Sequence, residues 1–202
     1  MYKIGALDIE TYSLSINAAI SDVALLIVDI GSPQAYEQIE LESSTTLNLE
    51  EFCWYFPLLD QIELGCVVDK ETLAFHRKHR KADMLGNQLY ASHIQPQPLT
   101  EVFDSIRSTI IDNNIQELWI NHTSFDYSRL HTLVEKIGQK PLWNYRLEYD
   151  VYTLKKVLKL PRLETEATHV AVEDAAWVLK MLKSAAPYLK RAWSAKHEDE
   201  AT

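Results

Sequence analysis

Leu7-Asp8-Ile9-Glu10-Thr11 ends an apolar N-terminal stretch, and how it is read decides the fold. Side chains alternate along a strand, so Asp8 and Glu10 leave the same face, roughly 6.5 Å apart. At that separation two carboxylates repel by about 2.5 kcal/mol if the effective dielectric is about 20. A fold that keeps both there needs a shared cation or must protonate one of them. The plainer reading is a strand running out into solvent with two surface acids. The D-x-E pattern alone is weak; segments further along the chain shift the balance.

The chain has 202 residues, enough for one well-buried α/β domain and too few for two independent ones. An apolar fraction of 47% and a charged fraction of 24% are ordinary for a globular protein. No apolar run approaches the roughly 20 residues of a membrane span, and Met1-Tyr2-Lys3-Ile4 enters a strand pattern directly, so no cleavable signal is expected. Cys53 and Cys66 form no C-x-x-C pair and read as reduced, packed thiols of a cytoplasmic protein. A net charge of −9 argues against a protein that coats duplex nucleic acid through a broad basic surface. It leaves room for a nuclease that grips one strand end through metal ions.

Residues 2–9 read as a first strand, and the Val-, Ile- and Leu-rich run from Ile20 to Ile30 as a second, central one, broken at Gly31-Ser32-Pro33. Phe52 to Phe56 is aromatic enough for a strand, and Gly65 ends the segment after it. Asp69 is placed to cap a helix to about Lys81, with Leu73 and Phe75 among its buried side chains. Gly86 to Pro98 reads as a long connection. Thr100 would cap a helix carrying Val102, Phe103, Ile106, Ile110 and Ile111 at helical spacing. Leu118-Trp119-Ile120 is a short buried strand, followed by a helix from about Ser124 to Ile137. A last strand is expected over Arg146–Val151, a short helix over Tyr152–Leu158, and an amphipathic helix over Val172–Ala185 stopped by Pro187. Strands first and then strands alternating with helices predict an α/β fold with a mixed sheet flanked by helices. Residues 1–186 form the single domain, and 187–202 a frayed tail.

Two further segments carry acids. Asn121-His122-Thr123-Ser124-Phe125-Asp126 puts Asp126 in the first turn of a helix at a strand's C-terminal edge, where ligand sites of α/β sheets gather. Taken alone, Asp126 reads better as an acid complementing the helix dipole. In His169-Val170-Ala171-Val172-Glu173-Asp174, side chains five apart on one helix diverge by about 140°. His169 and Asp174 converge only if His169 belongs to the loop. Asp174 shares the inward face of Trp177 and Val178, where an acid is anomalous, while Glu173 should point outward.

Together these segments resemble the DEDDh family of 3′–5′ exonucleases, on the ribonuclease H-like fold. The family's D-x-E-T motif appears as Asp8-Ile9-Glu10-Thr11, its second acid as Asp126, and its H-x4-D motif as His169 with Asp174. A closer likeness is to the branch holding phage-encoded exonuclease A and a bacterial adenosine-directed exoribonuclease. It is carried by Val68 to Leu73, Glu117-Leu118-Trp119, Phe125-Asp126, and Trp143-Asn144-Tyr145-Arg146 through Asp150-Val151-Tyr152-Thr153. The branch often shows R-D-x-R-T in the last of these; here Leu147-Glu148-Tyr149 intervenes and Tyr152 stands in place of Arg.

The resemblance implies two Mg²⁺ or Mn²⁺ ions, hard cations that take oxygen ligands. Asp8, Glu10 and Asp174 would hold the ion at the attacking water, and Asp8 with Asp126 the ion at the leaving 3′ oxygen. His169 would be the general base, with His122 its rival. The substrate would be a single-stranded 3′ end, RNA slightly favoured over DNA, releasing nucleoside 5′-monophosphates. Thr11, Leu14, Phe75 and His76 are candidate substrate contacts, and His76 to Lys81 is either a solvated helix face or a backbone track. Trp119 reads as core. Rival readings are a catalytically inactive nucleotide-binding module and a ribonuclease H-like endonuclease, the latter disfavoured by the H-x4-D spacing. A homodimer fits the branch.

Overall fold

The computed structural model describes residues 1–33, 35–41, 49–79, 97–160 and 169–199. A mixed five-stranded sheet runs in the order β3-β2-β1-β4-β5, with β1 (Lys3–Thr11) in the middle. β2 (Ile20–Asp29) and β3 (Leu49–Tyr55) extend it antiparallel on one side. β4 (Ile115–Ile120) and β5 (Glu148–Asp150) extend it parallel on the other. α1 (Leu58–Glu63) and α2 (Lys70–His79) follow β3, and α3 (Leu99–Asp112) precedes β4. α4 (Asp126–Lys136), α5 (Val151–Leu158) and α6 (Ala171–Asp199) follow β4 and β5.

β1 and β2 are buried on both faces, which explains why they read as nearly continuous apolar runs rather than alternating ones. On one face Leu7, Ile9, Val23, Leu25, Leu118 and Ile120 pack on α3 and α4 through Phe103, Ile106, Leu130 and Val134. On the other, Ile4, Ala6, Ala24, Leu26 and Trp119 pack on α6 through Ala175, Val178, Leu179 and Leu182. Asp8 and Glu10 continue the row of Ile4 and Ala6. They therefore lie on the α6 side, where the apolar packing gives way to acids.

This is an α/β, ribonuclease H-like architecture, with helices covering both faces of a mixed sheet. Several local expectations change. β1, not β2, is the central strand. The long helix does not stop at Pro187 but continues to Asp199, so residues 187–199 of the segment expected to be frayed are helical. Proline removes one intrahelical bond, to the carbonyl of Lys183, but the turn before it is anchored by the fully buried Leu182 and Ala185. α3 starts at Leu99 after Pro98, without a side-chain cap from Thr100. The Asp69 carboxylate accepts a hydrogen bond from Ser13 Oγ at 2.5 Å, tying α2 to the β1–β2 loop. Phe75 is 39% exposed, and the buried residue of that turn is His76. Residues 86–96 of the expected long connection and 80–81 of the basic run lie outside the described residues.

Candidate active site

A cleft of about 990 Å³ opens at the C-terminal ends of β1 and β4, between α2, α5 and the start of α6. Asp8 and Glu10 arrive on β1, Asp126 at the start of α4, Asp174 in the first turn of α6, and His169 just before that helix; all five line the cleft. Asp174 lines it with Trp177, while Glu173 points outward and is exposed.

The electrostatics show how close the acids are. Burial, then Asp126, Glu10 and Asp174, and more weakly Asp22, push the Asp8 carboxyl well above its ordinary range. Asp22 faces Glu10 across the β1–β2 register, is buried, and accepts from Ser21 Oγ. Burial pushes Asp126 up to about 7, even though the His122 backbone N–H donates to it at 3.1 Å and Arg129 lies one turn further on. One ring nitrogen of His169 and one oxygen each of Glu10 and Asp174 lie within 4.8 Å of one another. A cluster of carboxylates with one imidazole, open on one side, suits a hard divalent cation better than a soft or monovalent one. The donor set fits.

His169 has a left-handed backbone, φ +55°, uncommon for a side-chain-bearing residue and costing about 1–2 kcal/mol. That turn lets the imidazole face Asp174, as the five-residue spacing required. The ring packs edge-on against Phe75, centroids 4.6 Å apart.

The expected substrate contacts separate. Leu14 is 75% exposed at the cleft rim, and Phe75 also lines the cleft. Thr11 is buried; its hydroxyl donates to the Ser13 carbonyl at 2.8 Å. His76 is 3% exposed, and its Nε2 donates to the Thr11 carbonyl at 2.8 Å. His76 thus leaves the basic run and ties α2 to β1. Trp119 is core, its ring edge-on to Tyr36. His122 takes another position: its Nδ1 shares a 2.8 Å hydrogen bond with Ser124 Oγ, and its ring stacks on Tyr152 at 4.7 Å.

Sequence reasoning missed Arg129 and Lys155, which also line the cleft. The Arg129 guanidinium lies 3.4 Å from the centroid of the Phe125 ring and donates to the carbonyls of Phe125 (2.8 Å) and Leu14. It fastens the loop bearing Leu14 to the helix bearing Asp126. An Arg three residues after an acid on a helix gave no signal by itself. Asp150 is a helix cap: it accepts from Thr153 N–H (2.6 Å) and from Thr123 N–H and O–H (2.8 and 2.9 Å). Burial pushes its carboxyl up, but these bonds together outweigh that and hold it below its ordinary value. Tyr152, at the position where Arg was expected, donates its backbone N–H to the Asn121 carbonyl at 3.0 Å.

A mixed sheet with an acid-lined cleft at its strand ends fits a nuclease. The model of the Rv2179c-like 3′–5′ exoribonuclease domain matches residues 5–186, and the chain belongs to that family. No curated protein matches the sequence. Among solved structures, that of cell-death related nuclease 4 (CRN-4) is similar, with a TM-score of 0.45 and 12% identity. The match covers 91% of this chain and 63% of that one, so the chain spans less than two thirds of that nuclease's length. This likeness is too weak to carry a functional comparison.

Proposed function

We propose that the chain is a metal-dependent 3′–5′ exonuclease of the DEDDh type, removing nucleoside 5′-monophosphates from single-stranded 3′ ends. The observation that carries this is the convergence of Asp8, Glu10, Asp126 and Asp174 with His169 in one cleft. Asp8, Glu10 and Asp174 would hold one Mg²⁺ or Mn²⁺, and Asp8 with Asp126 the second. Such a pair stabilises both oxygens that exchange at phosphorus in an in-line displacement.

The chain's own groups do the rest. His169 accepts the proton of the attacking water at a ring nitrogen. The edge of Phe75 and the left-handed backbone at residue 169 fix the plane of that ring. Leu14, held by Arg129, and Phe75 present apolar surface to the terminal base at the cleft mouth. His122 is less suited to be the base, because Ser124 and Tyr152 engage its ring.

RNA is the favoured polymer, in keeping with the family's description; single-stranded DNA is the alternative. The phage exonuclease A branch and a homodimer are further parts of this reading, and analytical ultracentrifugation checks the dimer. Matched RNA and DNA oligomers with free or blocked 3′ ends, incubated with Mn²⁺, test the whole. Mononucleotide release from free 3′ ends only is expected. Internal cleavage, or none, overturns it.

A further inference from the structure

A second feature of the cleft concerns how a polyanion enters a wall of acids in a chain of net charge −9. Among the described residues lining the cleft, the lysines and arginines are Arg129 and Lys155. Arg129 is 6% exposed, and its two terminal nitrogens are committed to the carbonyls of Phe125 and Leu14. Lys155 is different. It is half-buried on α5, and its Nζ sits 5.6 Å from the centroid of the Trp177 ring. No carboxylate among the described residues holds it. Lysines in the last turn of a helix complement its dipole, which accounts for the exposed Lys156 and for Lys159 just beyond it. It does not account for the Lys155 ammonium lying over an aromatic ring in the cleft wall.

Beside Lys155 the same wall carries a stacking surface. His122 lines the cleft with its ring on Tyr152, and Lys156 Nζ lies 4.4 Å from the centroid of that tyrosine. The backbone N–H of Tyr152 bonds to Asn121, so the strand end and α5 hold the two rings in register. An aromatic surface with an ammonium beside it is what single-stranded nucleic acid uses: bases stack, phosphates pair, and sequence matters little. Leu14 and Phe75, read above as facing the terminal base, line the same cleft.

We propose that His122 and Lys155 seat the nucleotide upstream of the scissile phosphate, its base on the imidazole and its phosphate on the ammonium. This rests on the exonuclease reading, which identifies the 3′-terminal nucleotide as the one removed. It gives His122 a binding role. Both residues act on the leaving strand, so they matter only when a strand is there.

The test compares a trinucleotide with the p-nitrophenyl ester of thymidine 5′-monophosphate, which carries a terminal nucleotide but nothing upstream. For His122→Ala, the ratio of kcat/KM on the trinucleotide to that on the ester should fall about 5- to 150-fold, as for a lost stacking contact. His122→Phe, which keeps the stack and cannot take a proton, should restore most of it. For Lys155→Ala, the dependence of log Kd on log salt for a labelled hexanucleotide in Ca²⁺ should flatten by about 0.7, one phosphate contact on a single strand. An unchanged salt slope, or His122→Phe as poor as His122→Ala, overturns the seat. The binding arm keeps the two failures apart: a hexanucleotide bound with the Lys155-dependent slope but never cleaved counts against the exonuclease reading and leaves only strand binding at His122 and Lys155, whereas cleavage with an unchanged slope counts against the seat alone.

Discussion

The α6 face of the sheet buries carboxylates at both ends and treats them in opposite ways. Near the start of β1, Ile4 pairs with Glu117 and Ala6 with Trp119, so Glu117 shares the face of Asp8 and Glu10. Glu117 is surrounded by donors: Tyr2 Oη at 2.9 Å, Tyr36 Oη at 2.8 and 3.0 Å, and Trp119 Nε1 at 2.7 Å. Burial, reinforced by the charge of Glu117, pushes both tyrosine hydroxyls up, so they remain protonated donors. Four residues further along β1, roughly 13 Å, Asp8 is just as buried and faces Asp126, Glu10 and Asp174, with Asp22 acting more weakly. One end completes its charge with the protein's own hydrogen bonds and is closed. The other sets Asp8 among like charges that, with burial, push its carboxyl up, and it opens on a cleft. A buried carboxylate ringed by donors serves the fold, and one set among other carboxylates at an open cleft is where a cation would sit.

The sharpest break in that comparison comes from substitution at the two ends. Asp8→Asn and Asp174→Asn should abolish Mn²⁺-dependent shortening of an end-labelled strand. In a chelator at pH 8.5, Asp8→Asn should also melt higher than wild type, because one of several facing charges is gone. A relief of about 1–2 kcal/mol corresponds to a rise of about 2–8 °C at this chain length. Unchanged activity, or a lower melting point with the fold intact, would contradict the reading of this end as an open charge cluster. His169→Asn should cost about 10²–10⁴-fold in rate while keeping the Mn²⁺-induced rise in melting temperature. A change of only a few fold would move the proton to another acceptor.

Glu117→Gln should behave in the reverse way. It replaces one acceptor oxygen by a donor amide facing O–H and N–H groups, and should lower stability by about 1–3 kcal/mol with little change in specific activity. Calorimetry and a cleavage assay on one preparation read both quantities. The smallest effect is the pH dependence of the metal-free protein. Asp126 has its folded value raised to about 7, above the 3.8 of an unfolded aspartate. Its contribution is therefore fully present below 3.8 and is lost as pH rises through about 7. The melting temperature in chelator should decline across that window, Asp126→Asn should flatten the decline, and Mn²⁺ should offset it. A melting temperature that rises over the same window would show that the acids are already neutralised within the protein.

Local chemistry made much of this legible in the chain. Runs of apolar residues marked β1, β2 and β4 because those strands are covered on both faces. The D-x-E spacing placed two acids on one side of a strand, since alternation is a property of the backbone itself. The inward face of Asp174 and the outward face of Glu173 followed from helical periodicity. The end of α6 did not follow: a proline inside a helix removes one backbone bond, and whether the helix absorbs that cost depends on what it packs against. Phe75 and His76 exchanged their expected burial because the carbonyl that His76 bonds, that of Thr11, lies 65 residues away in the chain.

The sequence by itself determined which side chains carry charge on apolar elements, since burial preference and spacing are local. Only the tertiary structure decided which of those charges meet. Asp126 and Asp174 reach Asp8 through crossovers that leave no trace in local composition. The left-handed turn at His169, the Arg129 fastening and the Lys155–His122 wall likewise exist only once distant backbone segments are in contact. Whether a carboxylate like Glu117 or Asp8 is satisfied is a property of its neighbours in space, and the fold supplies them.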